Sequence, residues 1–314
     1  MLQTNFWGAG KMSVRANVIS FILRHTLKKR MASFDDPLEL RGQAGATIGK
    51  LPAEVVTESV NADGVGAQWV SWQATSVDAA PGDTVIFYLH GGGYVFGGPD
   101  SHRGLAWRLA RQCASKVLVA DYRLAPEHVY PAAMEDAITA YQWLLAQDIP
   151  AQNIVVAGDS AGGGLSVALL VKLKELGLPQ PKACVLFSPW TDLTLSGASI
   201  EENAKKDAML SPASLKRFRD LYLGGPGGID PRTPFVSPLF ADLSALPDTY
   251  VLVGSEEVLL DDSKRLVEKL NEAGGRATLS VWPKMPHVFP LLAPLLPEGD
   301  KAIAEVATFL RTQR

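Results

Sequence analysis

Residues 158–164 read Gly-Asp-Ser-Ala-Gly-Gly-Gly, so Ser160 is fenced by glycine on both sides. The serine comes just after an apolar run, NIVVAG (153–158), and just before a helical pattern, AGGGLSVALLVKLKEL. A chain passing from buried strand to helix here must reverse within one or two residues. Such a turn strains the serine backbone and needs small residues two positions before and after it, the places of Gly158 and Gly162. The alternatives are a helix N-cap serine in a glycine-rich turn and a phosphate cradle. No lysine follows in the P-loop manner, and the glycine spacing does not match a dinucleotide fingerprint. The stretch therefore reads as a G-x-S-x-G nucleophile elbow, with Gly163 and Gly164 serving close helix packing.

A nucleophilic serine needs a site for the oxyanion it creates and a base for its proton. His90-Gly91-Gly92-Gly93 follows the apolar run TVIFYL (84–89). Consecutive glycines let backbone N–H groups turn toward a carbonyl oxygen, and each such donor is worth a few kcal/mol in the transition state. The N–H groups of Gly92, Gly93 and Ala161 are the expected donors. The chain has five histidines. His25, His102 and His128 read as surface or structural, and His90 as an anchor for the glycine loop. His287, in the loop KMPHVFP after the last strand, is left as the base. The third member should lie between serine and histidine in chain order. SEEVLLDD (255–262) offers Glu256, Glu257, Asp261 and Asp262. A position at the strand exit selects Glu256 or Glu257, since Asp261 and Asp262 begin a helix whose dipole they complement.

These residues need a scaffold of buried strands. TVIFYL, KVLVAD (116–121), NIVVAG, CVLF (184–187), TYVLVG (249–254) and TLSVW (278–282) are nearly continuous apolar runs separated by amphipathic helical patterns. That alternation means a parallel sheet covered on both faces. EVVTESV (54–60) and AQWVSWQ (67–73), joined by NADG, add a leading hairpin and bring the expected count to eight strands. Two regions break the alternation. Residues 13–30 read as a basic helix with Val14, Val18, Phe21, Ile22 and Leu27 on or near one face. Residues 190–235 include a helix over 211–223, with Ser211 as N-cap and Pro212 as first helical residue. The two are expected to pack together as a helical cap, the alternative for the first being a helix lying on a membrane surface. The expected division is 1–50 for the N-terminal cap helices, 51–189 with 236–314 for the catalytic domain, and 190–235 for the cap insertion. Residues 1–11 precede a second methionine, Met12, look unlike the helix that follows, and read as upstream or disordered sequence.

The 314 residues are 47% hydrophobic and 20% charged, a globular enzyme-like composition. With 30 basic and 33 acidic residues well mixed and a net charge of −3, the chain carries no electrostatic footprint for nucleic acid. Cys113 and Cys184 sit in apolar stretches and read as small buried hydrophobes, not as a disulfide or metal ligands. No stretch approaches the roughly 20 apolar residues of a membrane span, and no leader pattern is visible, so the expected location is cytoplasmic.

HGGG (90–93), DYRLAPEHVYPAA (121–133), GDSAGGG (158–164) and a late acid and histidine resemble the hormone-sensitive-lipase family of α/β-hydrolase esterases. The resemblance runs from about residue 84 to the end. It implies an α/β-hydrolase fold with a cap built from the N-terminus and an insertion, no metal or organic cofactor, and hydrolysis of short- to medium-chain carboxylic esters through an acyl-enzyme on Ser160. The family's D-x-L-x-D pattern falls here on Glu257-Val258-Leu259-Leu260-Asp261, which puts Glu257, one methylene longer, in the catalytic place. Tyr94, Trp190, Leu259, Val288 and Phe289 are expected to line a substrate pocket. A lactone, amide or formamide hydrolase would use the same triad. A non-catalytic ligand-binding protein, like the plant gibberellin receptors that resemble the same family, would lack the base. The expected partner is a small-molecule ester, with no nucleic acid and no stable membrane insertion. A homodimer through the exposed last strand would suit the sheet.

Overall fold

Strands that are apolar along their whole length have no face to offer water, so they lie inside a sheet covered on both sides. A computed structural model describes residues 4–6, 13–34, 36–44, 50–73 and 83–313. Its sheet has nine strands: β1 (Thr4–Phe6), β2 (Val55–Ala62), β3 (Val65–Trp72), β4 (Val85–Leu89), β5 (Lys116–Asp121), β6 (Ile154–Asp159), β7 (Ala183–Phe187), β8 (Asp248–Gly254) and β9 (Ala277–Trp282). Their order is β1-β9-β8-β7-β6-β4-β5-β3-β2. Strands β2 and β3 pair antiparallel to each other and β3 pairs antiparallel to β5, while the other pairings are parallel. All eight anticipated strands are present, in an α/β-hydrolase fold.

The ninth strand corrects two expectations. Of residues 1–11, read as upstream or disordered sequence, Thr4–Phe6 pairs in parallel with Leu279–Val281, and the others lie outside the described residues. The last strand β9 is therefore flanked on both sides, by β1 and β8, and its edge is not free for a dimer partner.

Helices α4 (Pro99–Gln112), α5 (Ala132–Ala146), α6 (Ser160–Glu175), α9 (Leu260–Glu272) and α10 (Pro297–Thr312) cover the sheet. Two apolar clusters result, one on each face; Phe87, Val156 and Leu186 belong to one, and Ile86, Val155 and Val185, their neighbours in sequence, to the other. This is the period-2 alternation of a strand buried on both sides.

The remaining helices are α1 (Val14–His25), α2 (Leu27–Ser33), α3 (Pro37–Ala44), α7 (Ser199–Glu202) and α8 (Pro212–Tyr222). Ser211 caps α8, its Oγ accepting from the Ser214 N–H at 3.1 Å, with Pro212 as first helical residue. The N-terminal helices bind the 190–235 segment directly. Phe34 stacks on Phe218 with ring centroids 5.5 Å apart, Lys28 Nζ donates to the carbonyls of Ala204 and Asp207 at 2.7 Å each, and Arg24 Nη2 donates to the Lys206 carbonyl at 2.6 Å. The basic segment is not one helix: Thr26 separates α1 from α2, and Leu27 faces inward while Val14, Val18, Phe21 and Ile22 are exposed. That corrects the single apolar face expected for residues 13–30. Among the described residues no helix is long and apolar enough to cross a membrane.

Candidate active site

Strand order brings the chemistry together. After β4 the chain adds β5 on one side, then returns to place β6 on the other, and crevices form at such switch points beyond the strand C-termini. Leu89 of β4 is in register with Gly158 of β6, so the glycine loop and Ser160 emerge side by side. The strands β6, β7, β8 and β9 are consecutive neighbours, and Ser160, Ser188, Glu257 and His287 lie in the segments that follow them in turn.

Ser160 has φ +50°, the strained conformation expected of the elbow. Gly162 is required by close approach: a Cβ there would stand 2.0 Å from the Leu89 carbonyl oxygen. His287 Nε2 lies 2.9 Å from Ser160 Oγ, and His287 Nδ1 lies 2.7 Å from Glu257 Oε2. A carboxylate only accepts, so the ring proton sits on Nδ1 and Nε2 is free to accept the serine proton. Glu257 Oε1 accepts from the Gly254 N–H at 2.5 Å and from Ser188 Oγ at 2.8 Å. The other acidic candidates do not contact His287. Asp261 accepts from the Ser199 N–H, Asp262 accepts from the Thr191 and Asp192 N–H groups, and Glu256 faces a separate polar cavity.

Burial opposes the imidazolium of His287, but the Glu257 carboxylate, its hydrogen bond, and the more distant Asp207 and Asp159 outweigh that and raise the pKa above its ordinary value. A raised pKa keeps the base protonated to higher pH, so kcat/KM should rise with pH through a midpoint above about 6.5. A pH–rate profile of the free enzyme checks this; a midpoint below that value would contradict the Glu257–His287 geometry.

Gly92 has φ +119° and Gly93 +63°, and their N–H groups have no acceptor among the described residues. Both glycines line the same cavity as Ser160, and Ala161 lies in the first turn of α6, where helical N–H groups lack intrahelical acceptors. Sequence reasoning missed what holds this loop. Asp159, buried beside the nucleophile, accepts at Oδ1 from Tyr88 Oη at 2.8 Å and from the Gly91 N–H at 2.9 Å, and His102 Nε2 approaches the same oxygen at 3.1 Å. Burial alone would raise the Asp159 pKa, but His102 and Tyr88 reverse the effect and hold the carboxyl below its usual range. His90 anchors the loop as expected, stacked on Tyr122 at 4.1 Å and bonded through Nδ1 to the Gly91 carbonyl at 2.8 Å. Burial, with His102 nearby, pushes its pKa down to about 3, so it is neutral.

The cavity over Ser160 has a volume of 320 Å³. Of the five expected pocket residues, Trp190 and Val288 line it. Tyr94, Leu259 and Phe289 do not. Tyr94 is buried against Tyr222, ring centroids 3.8 Å apart, Leu259 is packed in the core, and Phe289 packs on Trp282 at 5.2 Å. Much of the apolar wall comes from outside the strand-exit loops, Leu23, Leu27 and Met31 from α1 and α2 and Met209, Leu210, Leu215 and Phe218 from the 190–235 segment, while Phe96 lies after β4 and Leu291 and Leu292 after β9. No local motif marks the positions from α1, α2 and the 190–235 segment, because only the tertiary packing of those segments brings them over Ser160. Ser188 and His102 did carry a signal, as polar residues beside apolar runs, Ser188 after CVLF and His102 ahead of GLAWRLA.

Residues 86–291 match the family model described as alpha/beta hydrolase fold. The chain is 42% identical over 273 residues to an acetyl-hydrolase of Streptomyces hygroscopicus, covering 86% of each. It is 41% identical over 225 residues to an esterase of Acinetobacter venetianus, covering 72% of this chain and 74% of that one. A crystal structure of an esterase from the bacterial hormone-sensitive lipase family superposes with a TM-score of 0.89 at 40% identity, covering 97% of this chain and 99% of that one. The chain is a carboxylic ester hydrolase and belongs to the hormone-sensitive-lipase family of α/β-hydrolase esterases.

Proposed function

We propose that the protein hydrolyses short- to medium-chain esters of small molecules by a Ser160–His287–Glu257 triad. The supporting observation is the hydrogen-bonded chain of 2.9 and 2.7 Å from Ser160 through His287 to Glu257, opening on an apolar cavity. Ser160 Oγ attacks the ester carbonyl as His287 Nε2 takes its proton, and Glu257 stabilises the imidazolium. The tetrahedral oxyanion rests on the N–H groups of Gly92, Gly93 and Ala161. The alcohol leaves with the proton from His287. Water then attacks the acyl-enzyme by the same route, which releases the acid and restores Ser160.

The helices α1 to α3 of the expected N-terminal cap segment 1–50 act with the segment 190–235 as the cap over the catalytic parts 51–189 and 236–314, while Thr4–Phe6 belongs to the sheet. The chain-length reading rests on the cavity, whose 320 Å³ is at the low end of the about 300–1,000 Å³ of ligand pockets. The acetyl-hydrolase relative supports the same reading. A cytoplasmic location is supported by two free cysteines, Cys113 and Cys184, as in a reducing compartment.

A panel of nitrophenyl esters of increasing acyl length, run beside lactones and aryl formamides, tests the substrate class. The expected kcat/KM is highest among the short and medium esters and falls for long chains. A preference for the lactones or formamides, or a maximum at the longest chains, would overturn this reading.

A further inference from the structure

Helix α1 is oriented against the usual rule for a surface helix. Val14, Val18, Phe21 and Ile22, spaced as one helical face, are 80, 53, 61 and 52% exposed, while Ala16, Ile19 and Leu23 turn inward. Among the described residues ten large apolar side chains are exposed, and four of them fall on this single face, so it is a patch and not ordinary scatter. The charge of its own segment is one-sided, the nearby acids Glu298 and Glu256 belonging to other elements. Residues 13–34 hold Arg15, Arg24, Lys28, Lys29 and Arg30 and no acidic residue, in a chain whose net charge is −3.

A polar cavity of 290 Å³ lies beside the same helix, lined in part by Phe21, Arg24, Lys206, Lys284 and Glu256. Its three cations form no ion pair among the described residues. Arg24 Nε is buried without a partner. The Asp207 carboxylate there is already taken by the N–H groups of Met209, Leu210 and Val258, and Glu257 by the triad, which leaves Glu256 as the one uncommitted acid.

We propose that the outer face of α1 docks on an anionic lipid surface. Val14, Val18, Phe21 and Ile22 enter the headgroup–acyl boundary, and Arg15, Lys29 and Arg30 meet lipid phosphates. Charge complementarity selects this occupant over a second copy of the chain, because pairing two α1 faces would bring two wholly basic segments together. Docking also has a geometric consequence. Leu23 of α1 and Leu27 and Met31 of α2 line the cavity over Ser160, so the docked helix would set that cavity beside lipid-dissolved esters.

Co-sedimentation of the full chain with phosphatidylcholine vesicles, with and without phosphatidylglycerol, tests the docking without reference to catalysis. The expected result is binding to the phosphatidylglycerol vesicles only, weakened by high salt through screening. The combined variant Val18→Ser, Phe21→Ser, Ile22→Ser should lower that partition by about tenfold or more. Lys29→Gln or Arg30→Gln should each lower it about fivefold. Melting temperature and turnover of a water-soluble nitrophenyl ester should stay as in the parent. Absence of wild-type binding, binding untouched by the serine substitutions, or a wild-type dimer that the serine substitutions convert to monomer would each overturn the proposal.

Discussion

Replacing Ser160 by alanine is expected to lower kcat by about 10⁴- to 10⁶-fold and to leave the fold intact. The size of the effect follows from what remains. Without Oγ there is no acyl-enzyme, and His287 has no proton to take from the chain; the oxyanion donors and the cavity still bind and polarise the ester, which sets the residual rate. The elbow survives because the backbone, not the hydroxyl, is held there. The Ser160 carbonyl accepts from the Trp190 N–H at 2.8 Å, and Gly158 and Gly162 keep their close contacts. Alanine at φ +50° is no more strained than serine. The melting temperature should therefore move by about 3 °C or less, the shift that about 1 kcal/mol produces in a domain of this class. A Ser160→Ala variant that kept a tenth of the parent activity would remove the serine from the mechanism.

The second large effect separates two carboxylates four positions apart. Glu257→Gln should cost about 10³- to 10⁴-fold in kcat, because the amide no longer enforces the tautomer with the proton on Nδ1 and no longer stabilises the imidazolium. It should also move the midpoint of the pH–rate profile down, since the Glu257 carboxylate is what raises the His287 pKa against burial. Asp261→Asn should stay within about threefold of the parent in kcat/KM, because the geometry of the reacting groups is untouched. Asp261 accepts from the Ser199 N–H at the start of α9 and approaches Lys264 at 3.8 Å. A larger loss at Asp261 than at Glu257 would reverse the choice of acid.

The parts of this site that are legible in the sequence are those whose chemistry leaves a local trace. Ser160 is marked by a strand, a glycine fence and a helix, and His287 by elimination among five histidines. The eight apolar strands are readable because burial on both faces forbids polar residues along them. The family pattern points to Glu257 over Glu256, and it is Glu257 whose Oε2 lies 2.7 Å from His287 Nδ1. What could not be read depends on tertiary approach. Tyr94 and Phe289 adjoin the catalytic motifs in sequence but turn into the core, whereas Leu27 and Phe218 are far from them in sequence and form the cavity wall. The three-residue strand Thr4–Phe6 carries too few residues to show a period, and only its pairing with β9 defines it.

The most direct test of the central claim is the covalent one. Incubation with a small organophosphonate ester, followed by intact-mass measurement and peptide mapping, should show a single equivalent attached to Ser160, with esterase activity lost in proportion. Glu257→Gln should take up the label far more slowly, because the same base activates the same hydroxyl. Label on a residue other than Ser160, or full loss of activity with Ser160 unmodified, would contradict the acyl-enzyme mechanism.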